Sequence, residues 1–166
     1  MSKSIRCSLL LIFCAATAGV ISAQAQTAAE KAFSAIKSLP GAWEGKTEDG
    51  PVKVNFKLTA GGSAVMSEIV GKEEMMSIFH LDGPNRLLMT HYCPIGNQPR
   101  FQASASPDGK TITFNFLDAM SLGAPDAGHI QTMVLTLVDD NHHTEEWTFM
   151  QGDKPVRAHM DLQRTK

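Results

Sequence analysis

From Pro40 onward the chain alternates apolar and polar residues in runs of five to nine, punctuated by Gly, Pro, Asp and Asn. Val52, Val54, Phe56 and Leu58 alternate with Lys53, Asn55 and Lys57. Ile112, Phe114 and Phe116 alternate with Thr111, Thr113 and Asn115. Val156, Ala158, Met160 and Leu162 alternate with Arg157, His159, Asp161 and Gln163. Side chains of a strand point alternately to its two faces, so this period marks half-buried strands. The spacing predicts about ten of them, near 41–48, 51–59, 63–70, 73–81, 86–93, 99–105, 111–118, 129–138, 142–150 and 155–164. Between them stand turn sequences such as Glu48-Asp49-Gly50-Pro51, Asp82-Gly83-Pro84-Asn85 and Ser106-Pro107-Asp108-Gly109, whose residues tolerate positive φ or preset a bend. Nearly all links are short, so sequence neighbours should pair as antiparallel hairpins; Asp118 to Gly128 is the longer exception. A meander of this length removes its unpaired edges by closing on itself. Ahead of it, Ala28, Ala29, Ala32, Phe33 and Ile36 recur at helical spacing until Pro40-Gly41 stops them. The expectation is an all-β domain over 40–166, an antiparallel up-and-down barrel, with a short helical cap at 26–39.

The first 25 residues follow a different pattern. Lys3 and Arg6 precede the apolar stretch Leu9 to Val20, and Ser22-Ala23-Gln24-Ala25 offers small residues where a signal peptidase reads. The stretch is shorter than the roughly 20 apolar residues a spanning helix needs. Cys14 follows Leu11-Ile12-Phe13 rather than the small residues of a lipoprotein anchor. We therefore expect a signal peptide cleaved after Ala25, and a periplasmic or secreted product without a membrane span. Cleavage removes two cations and leaves 13 basic against 17 acidic residues, a net charge of −4. That balance argues against a nucleic-acid partner, which wants a clustered basic face. Cys7 and Cys14 leave with the leader, so Cys93 alone remains and no intrachain disulfide can form. Stability then has to come from one hydrophobic core, for which about 140 residues suffice.

At Gly41-Ala42-Trp43, opening the first strand after a short helix, the sequence resembles the lipocalins and the wider calycin barrels. In those barrels the tryptophan of Gly-x-Trp plugs the closed end. The extension Trp43-Glu44-Gly45 also resembles the start of nitrobindin-type haem barrels. More closely, the chain resembles a family of secreted bacterial lipocalin-like proteins without a settled activity. The shared features are Gly-x-Trp-x-Gly, His80-Leu81-Asp82 followed by Leu88-Met89-Thr90-His91-Tyr92-Cys93, and a late Glu146-Trp147-Thr148-Phe149. The resemblance spans the mature chain and implies the barrel. It also suggests that Arg164 stacks on Trp43, as an arginine does in lipocalins.

The richest stretch for chemistry is 75–93. If Asp82-Gly83-Pro84-Asn85 is a four-residue turn, Leu81 pairs with Arg86, and Met76, Ile78, His80, Leu87, Met89, His91 and Cys93 share one face. Such a face, apolar with a few placed polar groups, resembles a ligand pocket; Phe101, His129 and Trp147 complete the expected lining. The face is equally compatible with core or with the outside, since Phe79, Leu81, Leu88 and Tyr92 occupy the other side. His80, His91 and Cys93 suit zinc or copper by residue type, but lack a close paired spacing, so no metal and no cofactor is expected. A Cys93 nucleophile with His91 as base lacks an oxyanion hole and an orienting group, so no catalytic residue is expected. The nitrobindin resemblance would place a haem on His159, yet alternation puts His159 on the polar face of its strand. His142-His143 reads as part of a solvated turn, and Glu145, on the face of Trp147, sits either near the rim or paired inside, with Arg100 or Arg164 as partner. Eight methionines in the mature chain suit either an adaptable pocket or a gap-filled core. The function expected is a non-enzymatic barrel binding a small hydrophobic molecule, with a haem barrel as the alternative and a Cys/His-dependent enzyme behind it.

Overall fold

The computed structural model describes residues 25–165; the expected leader therefore lies outside the described residues, except for Ala25. Ten antiparallel strands close into a barrel: β1 (Gly41–Thr47), β2 (Gly50–Thr59), β3 (Ala64–Val70), β4 (Glu74–Leu81), β5 (Leu87–Tyr92), β6 (Gln98–Ala105), β7 (Thr111–Met120), β8 (His129–Asp139), β9 (His142–Gln151) and β10 (Lys154–Arg164). Each strand pairs with its neighbours in sequence, and β10 returns to pair with β1. The all-β barrel with one short helix is thus the observed architecture. Among the described residues no helix is long and apolar enough to cross a membrane.

The helix α1 (Ala28–Ile36) is set by its ends and its apolar stripe. Thr27 caps it: its hydroxyl accepts from the Glu30 amide at 3.1 Å, and the Glu30 carboxylate accepts from the Thr27 amide at 2.8 Å. The same hydroxyl donates to the Pro84 carbonyl of the β4–β5 connection. Ala32, Phe33 and Ile36 are buried, so the helix lids the end of the barrel where β1 begins. There Leu39 and Trp43 continue the core, and the Trp43 indole N–H donates to the Leu39 carbonyl at 2.9 Å. Phe56, Phe79, Phe101 and Phe114 fill the interior with Leu87, Met89, Ile112, Met133, Leu135 and Leu162. Each such fully buried side chain contributes about 2 kcal/mol relative to exposure.

The closure is narrow. β1 meets β10 over Trp43–Lys46 opposite Arg164–Asp161, while β10 continues against β9 as far as Lys154. Two features hold this seam. Gly45 lies so close to β10 that a Cβ there would stand 2.1 Å from the Asp161 carbonyl oxygen. Arg164 lies over the Trp43 ring, 4.2 Å from its centroid, and donates to the carbonyls of Pro40 at 2.7 Å and Ser38 at 3.0 Å. The expected arginine–tryptophan stacking is therefore present. Past the seam, Lys154–Met160 is paired on its β9 side alone, and the barrel opens at the end away from α1.

Because the Gly45 contact is with backbone, Gly45→Ala can be relieved only by prising β1 from β10. We expect it to lower stability by about 2–3 kcal/mol, measured by urea unfolding; an unchanged midpoint would show that the seam does not depend on this approach.

Candidate functional site

The register between β4 and β5 decides which side chains enter the barrel. Asp82 donates its amide to the Arg86 carbonyl at 2.8 Å, and Leu81 pairs with Leu87, not with Arg86. The link therefore has five residues, 82–86, held further by an Arg86–Asp82 ion pair at 2.6 Å. One residue of slip turns every β4 side chain over. Met76, Ile78 and His80 consequently lie on the outer face, which corrects their expected place beside Met89 and His91. His80 Nδ1 is bonded to the Leu81 carbonyl at 3.3 Å. The residues that enter instead are Ser77 and Phe79, flanked by Met75 and Leu81. The turnover also separates His80 from His91, so the metal set considered from sequence is not brought together.

The rest of the expected lining divides in two. Met89 and Phe101 are fully buried core, and Trp147 is inward and almost fully buried. His129 sits at the start of β8 against Phe116, with ring centroids 4.6 Å apart. Both of its ring nitrogens are engaged, Nδ1 with the Ala127 carbonyl at 2.8 Å and Nε2 with Gln131 Oε1 at 3.0 Å.

The open end holds two adjoining cavities. One, of about 210 Å³, is lined by Val52, Ile69, Met75 and Met160, with the polar and charged Thr47, Asp49, Lys72 and Glu73 also in its wall. The other, of about 130 Å³, is lined by Ile130, Trp147, Phe149 and Val156. Met75, Ala158 and Met160 belong to both. The unpaired half of β10 is what leaves this end accessible: Val156 is 51% exposed although its side chain has inward parity.

Beneath the cavities runs a seam of buried polar groups that the sequence reading missed in part. Ser77 Oγ is hydrogen-bonded to His91 Nδ1 at 3.0 Å. The His91 ring packs on Trp147, centroids 4.9 Å apart. The Trp147 indole donates to Glu145 Oε2 at 2.9 Å. Glu145 Oε1 lies 3.4 Å from His143 Nε2, close enough to attract but without hydrogen-bond geometry. His143 is boxed edge-on by Trp43 at 4.3 Å and Phe56 at 5.6 Å. His91, His143 and Glu145 are each fully buried.

His143 is thus a core residue and not part of a solvated turn, which corrects that expectation; only His142 is at the surface side, paired with Asp161 at 3.0 Å. Parity was the available signal, because 143, 145, 147 and 149 must face the same way. Glu145 is paired inside, but its partners are Trp147 and His143. Arg100 instead binds Asp118 on the surface, and Arg164 serves Trp43.

His159 faces outward, with its ring 55% exposed and 3.9 Å from Glu146. The cavity that His159 itself borders, of about 400 Å³, is walled largely by polar and charged side chains, among them Glu48, Glu146, Thr148 and Arg157, where a haem face needs apolar ones. The residues therefore do not fit a haem held on His159. Cys93 is half-buried, and burial chiefly raises its thiol pKa, with Glu73 adding and the Ile95 amide opposing; a nucleophile requires the opposite shift.

No family model matches this sequence, and no curated protein sequence matches it either. Among solved structures, the chain is similar to Rv2717c from M. tuberculosis, with a TM-score of 0.58 at 15% identity, covering 81% of this chain and 98% of that one. The likeness shows the barrel fold alone. The protein is a closed ten-stranded antiparallel barrel with an open end.

Burial alone pushes His91 from its usual 6.5 down to about 4, so the folded protein holds a neutral ring at neutral pH. Between these values the unfolded chain binds the extra proton, so stability falls as pH falls from 6.5 toward 4 and is unaffected above. The shift corresponds to about 3 kcal/mol. His91→Phe should flatten this part of the stability–pH curve, measured by denaturant midpoints from pH 7 to 4.5; parallel curves for the two proteins would refute it.

Proposed function

We propose that the protein is an exported binding barrel that holds a small, largely apolar molecule at its open end. The observation that carries this reading is the pair of adjoining cavities walled by Val52, Ile69, Met75, Met160, Trp147 and Phe149. Barrels of this class either fill their interior or enclose one small ligand. Here the half nearest α1 is packed with aromatic and aliphatic side chains, and the space lies at the mouth. Flexible methionines in both cavities allow the walls to adapt to the occupant. The size of the space favours a short alkyl chain or a single ring system over a large macrocycle. The binding reading needs no catalytic group, consistent with the raised Cys93 thiol.

Export rests on the three-zone start of the sequence. Intact-mass measurement of protein recovered from the periplasm or medium should give a chain beginning at Gln26; a full-length mass there would contradict cleavage.

For the pocket, Ala158→Trp is the decisive change, because Ala158 borders both cavities from a solvent-accessible position. A neutral phenyl-naphthylamine dye should gain fluorescence on binding the native protein, and Ala158→Trp should weaken that binding by about tenfold or more without lowering Tm. Equal dye binding by the two proteins would place the ligand elsewhere.

A further inference from the structure

Four polar atoms inside the barrel have no hydrogen-bond partner: Nε2 of His91, Oε1 of Glu145 and both ring nitrogens of His143. Buried polar atoms are nearly always paired; Glu145 Oε1 and His143 Nε2 face one another at 3.4 Å without bonding, so a small polar group can enter here and serve both. Its position says what kind. Glu145 stands directly across the ladder from Met160, and Ser77, which holds His91, is the next inward residue after Met75. Met75 and Met160 are the two methionines common to both cavities of the open end. The polar groups thus lie one layer beneath the apolar cavities, covered by two unbranched side chains with three rotatable bonds each. Trp147 joins the layers, since it lines the smaller cavity and donates to Glu145.

We propose that this layer is a head-group site, so that the ligand is an apolar molecule ending in a neutral hydroxyl. The proposal rests on the binding reading above and specifies its chemistry. The tail occupies the cavities, the methionines swing aside, and the hydroxyl donates to Glu145 Oε1, whose other oxygen is already committed to the Trp147 indole. The kind of head follows from the two groups it meets, whose side chains are at most 1% exposed. An imidazole always carries at least one N–H that needs an acceptor, and Glu145 Oε1 needs a donor. A hydroxyl both donates and accepts. A carboxylate only accepts and an ammonium only donates, so either would leave one of these buried atoms unpaired, which is unfavourable.

Calorimetry on the mature chain with octanol, octanoate and octylamine separates these heads on one tail. Octanol should bind at least about tenfold more tightly than either charged analogue, and Glu145→Leu should remove that preference. Because the variant can disturb the core, the native protein supplies an independent readout. It has two tryptophans, and the indole N–H resonance of Trp147, which reports on Glu145, should shift on octanol binding while that of Trp43 stays in place. Octanoate or octylamine binding as well as octanol would overturn the head-group site and leave the apolar pocket standing. So would saturation with octanol that leaves the Trp147 resonance unmoved, the result expected if internal water alone serves these atoms. If none of the three binds, both the head-group site and the pocket reading fall.

Discussion

Everything else in this barrel depends on the contact between its first and last strands. Nine hairpin links would leave an open sheet with two unpaired edges, and only β1 against β10 turns that sheet into a container. The contact spans four residue pairs, so it is held by side-chain and backbone devices rather than by length. Gly45 lets the two backbones approach. Arg164 fastens the end of β10 to the Ser38 and Pro40 carbonyls and covers the Trp43 ring. Trp43 in turn is tied to Leu39 and, through the packed helix, to the lid. Closure and lid thus meet at Trp43 and Arg164.

The same shortness produces the opening. Where β10 runs beyond β1, no strand covers it, and residues of inward parity such as Val156 reach solvent. A fully zipped β10 would seal this end. The barrel therefore has a dense half beneath α1 and an adaptable half at the mouth. The polar seam lies between these halves, where enclosure makes every unpaired atom costly and every hydrogen bond selective. His143 illustrates the coupling: it touches Trp43 of the closed end and faces Glu145 of the seam.

The candidate site was half legible in the sequence, and what was missed lies at two turns. Parity grouped the β5 residues Met89 and His91 on one face without saying which, and the structure turns that face inward, with Trp147 of β9. Met76, Ile78 and His80 do not join them, because their placement required the length of one turn. The four residues Asp82-Gly83-Pro84-Asn85 carry obvious turn chemistry, but Arg86 joins them through its own carbonyl and its ion pair with Asp82. Since both faces of β4 carry apolar residues, the hydrophobic pattern could not correct the error. Parity put Glu145 on the face of Trp147 but left it open between rim and interior, whereas His143 was drawn into the neighbouring turn by Asp140-Asn141, although the ladder already begins at His142.

The Trp43 plug with its arginine was what the resemblance to lipocalin barrels implied; by itself the sequence determined the ten strands, their short antiparallel links and the helical lid, which follow from local periodicity and turn chemistry. Those are properties of residues near one another in the chain. What only the tertiary structure decided are properties of strands meeting across the barrel: the register of β4, the four-pair seam of β1 with β10 and the mouth it leaves open. The neighbours of Glu145 were decided there too, because a buried carboxylate takes as partners whatever the closed cylinder brings within reach.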